Sequence, residues 1–376
     1  MPVYLDCNAT SPMEDAVLEE VMNYMRVEYG NSGSRTHSYG LDAKRAVESA
    51  RAKVASVVDA EVNEVFFTSG ATESNNLAIL GLREHAESVG RKHIVSTALE
   101  HKAVLEPLEV LERRGYEVSL VRPNSGGWVE PEAIRAVVRD DTVLVSLMHV
   151  NNETGIVQCL PELTELLQNH PTYLHVDGAQ GFGKDLDGLR DPRIDLISVS
   201  GHKIYGPKGI GALIARRRGY EKPPLTPLVF GGGQERGLRP GTLPVALIAG
   251  LGVAAELAAL HAAEREKQCT EFRRTMLAAI EPLEPVFHGD QARVLPHVVN
   301  LSFPGLDSEA LMVALKDHVA VSNGSACTSS SYEPSHVLKS MGLSDDEIQG
   351  ALRFSWCHMT ADVAWDGVVG AIKRLM

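Results

Sequence analysis

A Cys-x-x-Cys pair is missing from this sequence, and so is any grouping of cysteine and histidine at metal-ligand spacing. The five cysteines (Cys7, Cys159, Cys269, Cys327 and Cys357) are scattered and odd in number. That excludes a disulfide framework and a zinc site, and leaves a reduced compartment with at most one reactive thiol as the economical expectation. Positive charge is also short: 36 Lys and Arg stand against 49 Asp and Glu, a net charge of −13. Direct nucleic-acid binding, which depends on Lys and Arg replacing counterions around phosphates, is therefore not expected. No apolar run reaches the ~20 residues that a membrane span needs. The longest, from Val245 to Ala255, stops at Glu256 and reads as a buried helix. The opening Val3-Tyr4-Leu5-Asp6 has no basic region followed by an apolar one, so no secretory signal is expected and the cytoplasm is the expected location.

What is present is an ordinary globular composition, 44% hydrophobic and 23% charged over 376 residues, enough for two domains and a large core. From about residue 60, short β-branched runs alternate with helical patterns: Val65 to Thr68, His93 to Ser96, Val143 to Leu147, Tyr173 to Val176, Leu196 to Val199 and Ala212 to Ala215. Near-continuous apolar strands separated by helices predict an α/β fold with a mostly parallel sheet covered on both faces. Ligands of such sheets bind beyond the carboxyl ends of the strands. Polar residues gather there: Ser69 to Glu73, His101, Asn151-Asn152, Asp177, and Ser200 to Lys203. After the Gly/Pro-rich segment Phe230 to Pro244, a long helical stretch from about Val245 to Leu283 reads as a connector to a second, smaller αβ pattern. The expected division is a large domain over residues 14–260 and a small one from residues 1–13 and 261–376.

Lys203 stands out, at the end of an apolar strand in Ser200-Gly201-His202-Lys203. Desolvation there would lower its pKa and free the amine for Schiff-base chemistry with an aldehyde, although a structural or phosphate-contacting lysine fits the same local pattern. Ser69-Gly70-Ala71-Thr72-Glu73-Ser74 joins a strand to a helix starting near Glu73, where small residues and unpaired N–H groups can cradle an anion or simply turn the chain. Asp177 follows another buried strand and either caps the next helix or pairs with a protonated pyridine nitrogen. Together the three supply what pyridoxal 5′-phosphate requires: an amine, an anion for the ring nitrogen and a phosphate cradle. Cys327 lies in a run of small polar residues, Val321 to Ser331, and is either a bland surface thiol or, beside a pyridoxal site, a nucleophile. Arg353, in the apolar stretch Gly350 to Ser355, needs a carboxylate, supplied by an internal Asp or Glu or by an amino-acid substrate.

These residues together resemble the cysteine desulfurases, in particular their first group: pyridoxal-phosphate enzymes of the fold-type-I, class V aminotransferase family. The likeness rests on Tyr4-Leu5-Asp6 with Ala9-Thr10, Gly30-Asn31, Thr68 to Asn76, Glu100-His101-Lys102, Met148 to Gly155, His175 to Gln180, Ser198 to Gly211, Gly231 to Pro244 and Ser325 to Ser329. The resemblance implies that Lys203 carries the cofactor and later shuttles the substrate α-proton. Asp177 would keep the pyridine nitrogen protonated, Gln180 would contact the ring hydroxyl, and His101 would stack on the ring and assist proton transfer. Ala71, Thr72, Ser200 and His202 would hold the phosphate, with Thr242 contributed by a second subunit, which implies a homodimer. Asn152 and Arg353 would hold the carboxylate of L-cysteine. Cys327, riding a long loop, would attack the substrate sulfur, release alanine and keep a persulfide for a sulfur-acceptor protein. A thiol of ordinary pKa, ~8.5, is only partly ionised at neutral pH, so Cys327 needs a proton acceptor, with His101 one candidate.

Several positions depart from the family's commonest pattern: Cys7-Asn8 in the opening motif, Gly178-Ala179 after the aspartate, Pro240 before Thr242, and Trp356-Cys357-His358 after Arg353. Cys159, Cys269 and Cys357 are expected to be structural. The sequence ends soon after Lys373, without the longer tail of housekeeping members, which points to a dedicated acceptor. DNA phosphorothioation, a nitrogenase-type role and tRNA thiolation all fit. The competing expectations are another enzyme of the same fold, an aminotransferase or a selenocysteine lyase, and a non-catalytic sulfur-carrier subunit.

Overall fold

Strands that are apolar at every position need cover on both faces, and this chain builds a sheet of that kind. The structure is a computed structural model that describes residues 1–323 and 334–376; Cys327 lies outside the described residues. A short first strand, β1 (Val3–Tyr4), precedes the sheet strands β2 (Val65–Thr68), β3 (His93–Thr97), β4 (Glu117–Val121), β5 (Thr142–Met148), β6 (Tyr173–Asp177), β7 (Leu196–Ser200) and β8 (Gly211–Ala215). They lie in the order β2-β8-β7-β6-β5-β3-β4. Every pair is parallel except those of β8, which runs antiparallel to both β2 and β7. The edge strand β4 is the one the sequence pattern does not suggest. Its Glu117 and Leu120 are exposed and the rest of it only half-covered, so it carries no buried apolar run.

Side-chain alternation divides the sheet between two cores. Phe66, Ile94, Leu144, Leu196 and Leu213 pack with Leu77, Val104, Leu108 and Leu111 from helices Ala71–Leu80 and Lys102–Glu112 on one face. Phe67, Val95, Val145, Ile197 and Ile214 pack on the other with Val21, Val47, Val54, Ile248 and Leu251, from helices Asp15–Arg26, Ser38–Val57 and Val245–Leu260.

A third core unites distant parts of the chain. Strands β9 (Val286–Phe287), β10 (Val298–Ser302) and β12 (Leu352–Ser355) form an antiparallel sheet, and β1 pairs in parallel with β11 (Val319–Ala320). Leu5, Met276, Leu301, Leu311, Phe354 and Trp356 are buried together there. The long helix expected from Val245 to Leu283 is instead broken at His261, and its halves, Val245–Leu260 and Ala262–Ile280, turn by 74°. Their buried faces belong to different cores: Ile248 and Leu251 in the large one, Cys269, Met276 and Ile280 in the small one. One straight rod could not serve both. Among the described residues, no single helix is long and apolar enough to cross a membrane.

A buried ion pair ties the sheet edge to the Gly/Pro-rich segment. Arg51 donates from Nη1 and Nη2 to the two Glu235 carboxylate oxygens at 2.7 Å each, and Glu235 also accepts the Phe67 N–H at 2.7 Å. The side chains are 4% and 1% exposed. Removing one charge from such a pair strands the other, at about 3–5 kcal/mol. Glu235→Gln is therefore expected to destabilise the protein by that amount, read as a lower urea midpoint; a change below about 1 kcal/mol would mean that water reaches Arg51.

Candidate active site

The carboxyl ends of β2, β3, β5, β6 and β7 open on one cavity of about 470 Å³. It is walled by Ala71 and Thr72 after β2, His101 after β3, Asn152 after β5, Asp177 and Gln180 at and after β6, Ser200, His202 and Lys203 at and after β7, and Arg353 from β12. Ten of the eleven residues singled out within the described part of the chain share this cavity; Thr242 does not. Thr242 is exposed and lines a separate depression with Asn31, Gln234 and Arg236.

Each wall residue owes its place to local structure. Lys203 ends a single 3-10 turn, Gly201–Lys203, directly after β7. Its Nζ donates to the backbone carbonyls of Asn8 and Ala9, the latter at 2.9 Å. Asp177 closes β6, with its carboxylate fixed by Asn75 Nδ2 at 2.7 Å and by the Ala179 N–H at 3.0 Å. The helix after β2 starts at Ala71, two residues earlier than the sequence suggests, so the amides of Ala71 and Thr72 belong to its first turn and have no carbonyl one turn back. Gly70, at φ 152°, makes the turn. A Cβ on the neighbouring Gly211 would sit 2.6 Å from the Gly70 Cα, so this approach requires glycine.

His101 caps its helix: Nδ1 accepts the Ala103 N–H at 3.0 Å. Burial first, then the nearby Lys203 charge, lowers its pKa, against the pull of Asp177. In the neutral ring the proton then sits on Nε2, which makes that atom a donor. The same two causes bring His202 down to about 4. Its Nδ1 pairs with Thr10 Oγ1 at 3.1 Å. Directly before His101, Glu100 is fully buried, accepting from Thr97 Oγ1 at 2.6 Å and from the Met148 N–H at 3.0 Å, and burial pushes its carboxyl up to about 8. It ties the ends of β3 and β5 together as a neutral acid.

Arg353 is completely buried. Nη2 donates to Asp6 Oδ1 at 2.6 Å and Nη1 to the Asn152 carbonyl at 2.9 Å. Of the two carboxylate sources left open by the sequence, the internal one is thus present, and the guanidinium still lines the cavity. The sequence patterns did not single out Asn75 as the support of Asp177, nor Asp6, Asn8 and Ala9 as partners of Arg353 and Lys203. The polar opening segment was quoted for its likeness alone, since nothing local says that it crosses the sheet rim.

The site suits a pyridoxal phosphate group. Three buried polar atoms on its wall, Asn8 Oδ1, Asn75 Oδ1 and Arg353 Nε, have no partner among the described residues. The arrangement offers an amine at Lys203, a fixed carboxylate at Asp177, and a helix start flanked by Ser200 and His202. Among the described residues no cluster of His, Cys, Asp and Glu could hold a metal ion.

Comparison with known proteins agrees with this geometry. Residues 3–363 match the family described as aminotransferase class-V. Cysteine desulfurase IscS of Vibrio cholerae is 43% identical over 376 residues, 99% of this chain and 92% of that protein, and the Vibrio vulnificus enzyme of the same name gives the same values. Among solved structures, DndA from Streptomyces lividans is 49% identical with a TM-score of 0.83, covering 95% of this chain and 100% of that one. A NifS-like protein is 36% identical with a TM-score of 0.90, covering 100% and 98%. The chain belongs to the aminotransferase class-V family and, within it, to the cysteine desulfurases.

Proposed function

We propose that the protein converts L-cysteine to L-alanine with the help of pyridoxal 5′-phosphate and passes the sulfur to Cys327 as a persulfide for an acceptor protein. The observation that carries this reading is the meeting of Lys203, Asp177 and the Ala71 helix start around one cavity. Bound there, the cofactor supplies an electron sink that lets the substrate α-proton leave and loosens the Cβ–Sγ bond.

The chain's own residues do the rest. Lys203 anchors the cofactor and moves the α-proton; the Asn8 and Ala9 carbonyls hold its Nζ over the cavity meanwhile. Asp177 keeps the ring nitrogen protonated, with its carboxylate oriented by the bonds from Asn75 and Ala179. His101 faces the ring as a donor at Nε2. To take a proton from Cys327 it would have to surrender its cap on Ala103, so a loop residue or water suits that step better. Gln180, held by its Nε2 on the Asn8 carbonyl at 3.0 Å, is placed for the ring hydroxyl. Ala71, Thr72, Ser200 and His202 take the phosphate, with Thr242 arriving from the second subunit of a homodimer. Asp6 presets the Arg353 fork so that, with Asn152, it meets a carboxylate without a further ordering cost. The core around Leu5, Met276 and Trp356 supports a division into a cofactor-binding body of residues 14–260 and a small body of residues 1–13 and 261–376, with Val337, Leu338, Met341, Ile348 and Ala351 of the small body packing into the large core.

The test is a visible absorption spectrum of the protein purified with pyridoxal phosphate, before and after L-cysteine, with mass spectrometry of the Cys327 peptide. A visible band that responds to L-cysteine, together with a one-sulfur mass increase at Cys327, is expected. A band without the increase would overturn the sulfur-transfer step, and no band would overturn the cofactor assignment.

A further inference from the structure

Two of the departures seen in the sequence, Cys7-Asn8 and Trp356-Cys357-His358, come together in the fold. Asp6 bridges Ser355 in parallel register, and the Cys7 N–H donates to the Ser355 carbonyl at 3.0 Å. This brings the start of the chain alongside the exit of β12. The Cys7 and Cys357 side chains, each 4% exposed, form a closed cluster with the Tyr205 ring. Both are free thiols, and each is the other's side-chain hydrogen-bond partner.

The pair is asymmetric. Cys357 Sγ receives the Thr360 hydroxyl at 3.7 Å and feels the Met359 backbone N–H and the Cys7 thiol, while Thr360 also acts on Cys7. Hydrogen bonds to a sulfur favour its charged form. The Cys7 contact first, with these others behind it, holds Cys357 below the ordinary thiol range against its burial, while the same contact pushes Cys7 up. Lys184, Arg265, His358, Tyr205 and Cys269 are the other ionisable groups around the pair. Cys269 has no comparable donors, and burial pushes it up to about 12. Two thiols packed together, one of them also receiving a hydroxyl, have the arrangement of an attacking and a resolving thiol.

We propose that Cys7 and Cys357 are a redox pair that closes to an intramolecular disulfide on reaction with a small hydroperoxide. The Cys357 thiolate attacks one peroxide oxygen, the O–O bond breaks and hydroxide leaves, giving a sulfenic acid. The Cys7 sulfur then attacks the Cys357 sulfur, the S–O bond breaks, and the departing hydroxide takes the Cys7 proton as water. Two thiols lose two electrons in all, and hydrogen peroxide is reduced to two waters. Burial selects the oxidant by size. A cavity of about 40 Å³ between Tyr205, Lys184, Cys269 and His297 has room for molecules about the size of water and meets the cluster at the Tyr205 ring, although neither Cys7 nor Cys357 lines it. This chemistry does not depend on sulfur transfer through Cys327. Cys7 is followed by Asn8, whose carbonyl accepts from Lys203 at the cavity.

The test uses the reduced full-length protein, treated with hydrogen peroxide, denatured, alkylated with iodoacetamide, digested without reductant and examined by mass spectrometry. A peptide cross-linked through Cys7 and Cys357 is expected, reversed by dithiothreitol. The two thiols should escape alkylation together at least about tenfold faster than Cys269, as thiolate character dictates. Cys357→Ser should abolish the cross-link and leave Cys7 open to alkylation. In the unmutated protein, a Cys7 that stays alkylatable, a bond from Cys7 to Cys327, or Cys357 passing to sulfinic acid without a cross-link would each overturn the pair.

Discussion

Lys203→Ala is expected to lower alanine formation from L-cysteine by about a thousandfold or more, the scale on which a group serving as both attachment point and proton carrier acts. Lys203 sits on a single turn after β7 and holds no core together; its Nζ bonds are to the carbonyls of Asn8 and Ala9 on the wall of an open cavity. Water can replace the lost amine there, so the thermal midpoint should move little. Lys203→Arg sharpens the test. Arginine keeps the positive charge and can reach the same carbonyls, but with a pKa above ~12 it offers no free amine. If activity depended on charge alone, the arginine variant would keep a substantial part of it. Retention of more than about a tenth of wild-type turnover in Lys203→Arg would sink the assignment of Lys203 as the reacting amine.

Cys327→Ser is expected to reduce sulfide release to background while leaving the visible band, and its response to L-cysteine, as in the unmutated protein. A hydroxyl is neither acidic enough nor polarisable enough to attack a thiol sulfur, whereas a thiolate is suited to it. The proposed cofactor contacts come from Ala71, Asp177, Ser200 and Lys203, on elements more than a hundred residues before position 327 in the chain. A separate loss of sulfide with the cofactor intact distinguishes a desulfurase from an aminotransferase or a selenocysteine lyase on the same scaffold. Sulfide release that survives the substitution would place the sulfur chemistry elsewhere.

The strands that point chemistry at the cavity were readable because they are local. β2, β3, β5, β6, β7 and β8 are each a short apolar run whose burial on both faces leaves an unbroken signature, and after every one except the antiparallel β8 the polar residues that follow mark the rim. Lys203, Asp177 and His101 could therefore be singled out before any fold was known. β4 escaped because an exposed edge strand need not be apolar. The bend at His261 escaped because a helical pattern does not reveal which of two cores each turn faces. The partners of the chosen residues escaped for a different reason. Asn75 on Asp177, Asp6 on Arg353 and Asn8 on Lys203 are contacts across 102, 347 and 195 residues, and no local propensity encodes them.

The opening segment therefore has an unusual relation to time. It precedes every strand of the large sheet in the chain, yet β1 pairs with β11, the Asn8 N–H bonds to Ser355 Oγ 347 residues away, and Lys203 finds its two carbonyl acceptors only where that segment lies across the rim. A nascent chain that already contains Lys203 and the whole parallel sheet still lacks this part of the cavity wall. Segments paired over such separations join late, after the locally connected parts have formed. Emergence of β11 and β12 thus acts as a licence: a chain that stops before them can hold the strands of the large sheet without the fully assembled pocket.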